Sequence, residues 1–178
     1  MRRIARIATI AGLGAALTAG TGACAASPAA ESTAARQAAV QAVRGPDQPV
    51  TRMIARLFTE WNAALATGDP RKVADRYAPD AVLLPTVSNR VRTDRAGIVD
   101  YFTHFLRNKP QGEIKQSTID LLDLTTAIDT GVYVFTLTQD GKKQQVEARY
   151  TFVYELRRGK WLIVNHHSSV MPEQTTTH

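Results

Sequence analysis

The chain has 178 residues, 22 of them basic and 16 acidic, for a formal charge of +6. A single cysteine, Cys24, excludes a disulfide framework within the chain. Arg2, Arg3 and Arg6 carry three of the positive charges; without them 19 basic residues face 16 acidic ones, and a net +3 is too ordinary to mark a nucleic-acid-binding protein.

Those arginines open a segment with no acid in its first thirty residues. An apolar stretch from Ile7 to Leu17 follows, and small residues then lead to Cys24. A basic start, a short apolar core and small residues at a cut site define a secretory signal, so residues 1–25 read as a signal segment. The apolar run falls short of the ~20 residues needed to span a bilayer. The alternative is an amphipathic or buried N-terminal helix. Cleavage after Ala25 and lipidation at Cys24 are both open, because Thr21-Gly22-Ala23-Cys24 resembles a bacterial lipobox with threonine at its usual aliphatic position. Either way the protein is expected outside the cytoplasm, secreted or anchored at the outer face of the cell membrane through a lipid at Cys24.

Residues 26–49 are rich in Ala, Gln and Ser and lack large apolar side chains, so they read as a tether. Residues 50–173 suffice for one core, and 174–178 form a tail. Ile54, Leu57, Phe58, Trp61 and Leu65 recur at helical spacing, which predicts a first helix capped at Thr51 and stopped at Gly68. Asp69-Pro70 starts a second helix with Val73 and Tyr77 turned inward, ended by Pro79. A short strand, Ala81 to Leu84, precedes a polar loop. A third helix follows from a cap near Asp94 to about Arg107, burying Ile98, Tyr101, Phe102 and Phe105. Four β-rich stretches come next: about Glu113 to Leu124, Ala127 to Thr138, Gln144 to Leu156 and Trp161 to Val170. Asp140-Gly141 and Arg158-Gly159 mark turns. Helices first and an antiparallel meander second make an α+β layout.

Thr67-Gly68-Asp69, Tyr77-Ala78-Pro79-Asp80-Ala81-Val82, Thr151-Phe152-Val153-Tyr154, Gly159-Lys160-Trp161 and His167-Ser168-Ser169 together resemble the nuclear transport factor 2-like superfamily. Within it the chain is similar to bacterial relatives of the calcium/calmodulin-dependent protein kinase II association domain and to the SnoaL-like and SgcJ/EcaC groups. The resemblance implies a cone: a curved, mostly antiparallel sheet wrapped around the first helix, with a pocket between them. It also implies homodimers or larger homo-oligomers. No glycine-rich loop or catalytic loop of a kinase is present, so no kinase activity is expected. No nucleotide-binding glycine motif occurs, and no cofactor is expected.

Strand alternation puts Tyr150, Phe152 and Tyr154 on one face and Arg149, Thr151 and Val153 on the other. On the last strand it groups Val164, His166 and Ser168 against Ile163, His167 and Ser169; a slip of one residue would exchange the sets. Adjacent His166 and His167 then point apart, while His104 and His178 lie on a helix and in the tail, so no metal site is expected. By the resemblance, Phe152, Ser168 and Thr136 stand where the kinase association domain has three pocket arginines. The pocket is then aromatic and weakly polar, suited to a small hydrophobic molecule rather than a small carboxylate. Its expected lining is Trp61, Tyr77, Tyr101, Thr136, Phe152, Tyr154, His166 and Ser168. Ketosteroid isomerase, on the same fold, has its base where Leu84 stands here, which counts against that chemistry. An enzyme would instead draw on His166 with Tyr101 or Tyr154 as acid and base. The plainer alternative is a hydrogen-bonded histidine beside core tyrosines. Phe58 and Trp61 read as core. Arg149 and His167 form an alternative site or a subunit interface, with Arg149 paired to Glu147, Glu155 or a partner chain.

Overall fold

The computed structural model describes residues 48–172 together with Ala35 and Ala38. The expected signal segment with Cys24, nearly all of the tether, and the tail lie outside the described residues.

Helix α1 spans Pro49–Ala66 and buries Ile54, Leu57, Phe58, Trp61 and Leu65, the face that the spacing predicts. It begins two residues before the expected cap. Pro49 occupies the first turn, where its missing N–H costs nothing, and Thr51 is a buried helical residue instead of the cap. Gly68 stops the chain beyond the helix at φ +68°, a conformation that favours glycine. Asp69 then caps α2, Pro70–Ala74, by accepting from Arg71 N–H at 2.9 Å.

Strand β1 spans Tyr77–Leu84 and is longer than expected. Tyr77 belongs to it, not to α2, and Pro79 sits inside the strand. A strand tolerates proline where no ladder donor is needed, and β1 is an edge strand. Between Tyr77 and Val82 it bulges from its partner: these residues pair with Ile163 and Asn165, five steps against two. Helix α3 spans Arg95–Phe105, capped by Asp94 on Gly97 N–H at 2.7 Å, and a 3₁₀ turn, Leu106–Asn108, closes it.

Strands β2 (Gln111–Leu121), β3 (Thr126–Gln139), β4 (Lys142–Arg157) and β5 (Lys160–Val170) form the meander. The sheet order is β1-β5-β4-β3-β2, with β1 parallel to β5 and every other pair antiparallel. The hairpin turns Asp140-Gly141 and Arg158-Gly159 hold both residues at positive φ, the two-residue turn that matches strand twist.

The helices cover one face of this open sheet, the arrangement implied by the resemblance. The core lies between α1 and that face: the Phe58 ring packs 6.3 Å from Tyr133, 6.4 Å from Tyr150 and 6.3 Å from Phe152. Asn62 fastens α1 to the start of β2 by a two-way bridge, donating to Gly112 C=O and accepting from Gly112 N–H, both at 2.9 Å. This bridge and α1 hold Trp61 against β3 and β5, where the site forms.

Candidate functional site

A small, mostly apolar cavity of about 40 Å³ opens between α1, α3 and the sheet. That volume accepts a few water-sized groups, well below the ~300 Å³ at which a drug-sized pocket begins. Trp61 of α1, Leu83 of β1, Tyr101, Phe102 and Phe105 of α3, Tyr133, Phe135 and Leu137 of β3, and His166 and Ser168 of β5 line it. The segment Pro85–Val87 closes one side.

The polar atoms of this wall are tied to one another. Trp61 Nε1 is only a donor and gives its hydrogen to Tyr77 Oη at 3.1 Å. Tyr77 Oη lies 2.9 Å from His166 Nδ1. The Tyr77 O–H has no other acceptor among the described residues, so it donates to Nδ1, which places the imidazole proton on Nε2. Nε2 itself is buried and has no protein partner. A second chain runs from Tyr133 O–H to Ser168 Oγ at 2.5 Å, and Ser168 also hydrogen-bonds Thr86.

His166 stacks on Phe152 at 4.1 Å and meets the Trp61 ring edge-on at 5.4 Å. Burial in this aromatic setting, with a smaller contribution from His167, pushes its pKa down to about 3. The imidazole is therefore neutral at physiological pH. Burial raises Tyr77, Tyr101 and Tyr133 above the ordinary phenol range, so all three keep their protons.

Of the residues expected in the pocket, Trp61, Tyr101, His166 and Ser168 are on its wall. Tyr77 and Phe152 stand one layer behind, holding His166 by hydrogen bond and by stacking. Thr136 is not on the wall. Tyr133, Phe135 and Leu137 turn inward, and alternation sends Thr136 to the opposite face. Tyr154 faces inward and is 1% exposed, yet it stacks behind Phe152 at 5.7 Å with an unpartnered hydroxyl. His166 thus bonds to Tyr77, and neither Tyr101 nor Tyr154 reaches it.

The faces of β5 also need correction. Tyr154 pairs with Ile163 and Val153 with Asn165, so Val164 is an inserted residue. The bulge switches parity, and buried Ile163 shares the inner face with His166 and Ser168. Leu84 pairs with exposed His167 on the outer face; Leu83, opposite His166, is the pocket residue at the end of β1. Arg149 and His167 are exposed on the outer face, and Glu155 pairs with Arg157 instead of Arg149. Among the described residues no three His, Cys, Asp or Glu side chains gather as a metal site.

Tyr133, Phe135 and Leu137 were missed as wall residues, although their every-second spacing in β3 carries the signal. Phe102 and Phe105 were expected to be buried but not to line a cavity.

The model of the calcium/calmodulin dependent protein kinase II association domain family matches residues 51–172. A Xanthomonas campestris structure provisionally named as such an association domain is 64% identical, with a TM-score of 0.69 over 69% of this chain and 89% of that one. An uncharacterized Caulobacter vibrioides protein with a cystatin-like fold is 21% identical, with a TM-score of 0.58 over 69% of this chain and 90% of that one. A Novosphingobium aromaticivorans protein provisionally named scytalone dehydratase is 14% identical, with a TM-score of 0.60 over 68% of this chain and 83% of that one. The last two likenesses show the fold alone. No curated protein matches the chain.

Proposed function

Because the chain belongs to the calcium/calmodulin dependent protein kinase II association domain family, we propose that it is an exported association module that binds a small hydrophobic molecule and has no kinase chemistry. The observation carrying the binding reading is the cavity wall. Its polar groups are neutral, and Trp61, Tyr133, Ser168 and the Nδ1 of His166 are tied up in hydrogen bonds within the protein, which suits recognition of an apolar group. The export reading rests on Arg2, Arg3, Arg6 and the apolar run before Cys24. Assembly into homodimers or larger homo-oligomers is supported by the family and by the outer sheet face, where Arg149 and His167 stand exposed.

The second reading is a SnoaL or SgcJ/EcaC-like isomerase, cyclase or oxidoreductase, and it has less support. A general acid or base works best with a pKa near the operating pH, and His166 lies far below it with Nδ1 committed to Tyr77.

Light scattering on the full-length protein should give a dimeric or larger mass; a monomer at every concentration overturns the association reading. Trp61 is the natural reporter for binding, once Trp161→Phe removes the other indole. Its emission should shift when 1-hexanol is added, and an unchanged spectrum up to saturation overturns the cavity reading.

A further inference from the structure

The cavity wall is built from helices and strands everywhere except at Pro85–Val87, the segment that follows β1. A wall of strands and helices opens only by breaking backbone ladders or by unpacking a helix from the core. The linking segment is held in another way.

It lies between two anchors. At its start, Leu84 is paired with His167 in the sheet. Beyond it the chain returns to β1 at Arg92, where Leu83 N–H donates to Arg92 C=O at 2.8 Å and Arg92 N–H donates to Leu83 C=O at 2.9 Å. The Arg92 side chain is only 8% exposed and reaches back along the loop. Its guanidinium donates to Ser88 Oγ at 3.0 Å and to the Arg90 carbonyl. Residues 88–92 are therefore a fixed frame.

Between the anchors the ties are few. Among the described residues, no backbone group of residues 85–87 bonds to another element. Pro85 has no N–H to offer, and it is buried with its φ set by the ring. The tie to the sheet is one side-chain hydrogen bond, between Thr86 Oγ1 and Ser168 Oγ. Val87 is 62% exposed, so holding it down buries little apolar surface. It also borders a separate recess of about 230 Å³, which leaves it room to move outward.

We propose that Thr86 and Val87 are the gate of the cavity, pivoting on Pro85 and latched by the Thr86–Ser168 hydrogen bond. The proposal rests on the cavity binding an apolar group. Segments with few buried apolar contacts and few backbone bonds open at far lower cost than core strands and helices. Lifting Val87 breaks one hydrogen bond and leaves the sheet and the Arg92 frame intact. So short a gate passes a narrow apolar chain, which is also what the inner volume accepts.

Trp161→Phe leaves Trp61 as the one indole, and NMR exchange measurements on its N–H follow 1-hexanol in the full-length protein. In this parent, Thr86→Val keeps the side-chain shape and removes the latch. It should raise the association and dissociation rates together, each about threefold to tenfold. Unchanged rates overturn the gate, as does a rise in dissociation alone, which marks a lost contact to the ligand. Thr86→Cys/Ser168→Cys with Cys24→Ser keeps the test open where the valine variant fails to fold. The two side-chain oxygens already touch, so sulfurs at these positions fall within disulfide reach. Oxidised, this protein should exclude hexanol; reduced with dithiothreitol, it should bind it. Entry into the oxidised form at the rate of the reduced form overturns the gate and leaves the cavity reading standing. An indole signal of the parent that does not respond to hexanol overturns both.

Discussion

Tyr77 is the joint of the cavity wall, and replacing it with phenylalanine tests the whole arrangement. The substitution keeps the ring and removes one oxygen. Trp61 Nε1 loses its acceptor and His166 Nδ1 its donor, in residues only 2% and 4% exposed. Leaving a buried polar group unpaired costs about 1–3 kcal/mol, so two such groups give a loss of about 3 kcal/mol. With a urea slope of about 2 kcal/mol/M, the unfolding midpoint should fall by about 1.5 M. Far-UV circular dichroism at neutral pH reads the transition without relying on the affected tryptophan. The double variant Tyr77→Phe/His166→Phe leaves only Trp61 unpaired, because a phenyl ring in place of the imidazole can keep the stack on Phe152. Its loss should therefore be smaller than the sum of the two single losses. A Tyr77→Phe loss within about 0.5 kcal/mol of zero, the range of ordinary surface changes, refutes the network. Strict additivity of the pair refutes it as well.

Three other perturbations probe the same physics. The folded-state pKa of His166 lies at about 3, below the free-imidazole value, so the unfolded chain binds more protons between that value and about 6.5. Stability should therefore fall by about 1.4 kcal/mol per pH unit as the solution is acidified through that window, and His166→Phe should flatten the slope in urea melts. Asp129 is 1% exposed and accepts from Ser117 Oγ at 2.7 Å and Tyr150 O–H at 3.0 Å on one oxygen, while burial raises its pKa. Its neutral form supports folding at low pH and that support is lost as pH rises through the folded pKa. Asp129→Asn, which keeps the accepting oxygen, should gain stability relative to the wild type as pH rises; a constant difference across pH contradicts this. Gly131 pairs with Ser117 of β2, and a Cβ there would lie 1.8 Å from the Gln116 carbonyl oxygen. Gly131→Ala should cost about 3 kcal/mol in urea unfolding, and a neutral result contradicts the close approach.

The α+β layout was legible because it rests on local rules. Helical spacing from Ile54 to Leu65 and the cap residues Asp69 and Asp94 act within a turn or two of chain. The same holds for the two glycine turns. What the sequence hid depends on pairing. A single inserted residue, Val164, reverses the faces of β5, and nothing in Leu162-Ile163-Val164 says which of these apolar residues is the extra one. Pro79 reads as a helix end until the edge position of β1 removes the need for its N–H. Thr136 was assigned to the pocket by resemblance, against the Tyr133-Phe135-Leu137 alternation that points the other way. His166 was legible as the polar inward group. Its partner was not, because Tyr77 and His166 meet only through the parallel pairing of strands 89 residues apart. Arg92 lay in a loop that carries no periodic signal, and only its bridge to Leu83 fixes it beside the cavity.

The central claim is that the cavity recognises a ligand through a neutral, fixed imidazole and does not shuttle protons. Nitrogen-15 NMR of the His166 ring across pH tests it most directly, since the two ring nitrogens report protonation separately. The account predicts one protonated nitrogen, Nε2, and an unprotonated Nδ1 in a hydrogen bond to Tyr77, with no titration until the solution nears pH 3. A His166 that titrates near the ordinary imidazole value of about 6.5, or that carries its proton on Nδ1, would contradict it and return the site to acid–base chemistry.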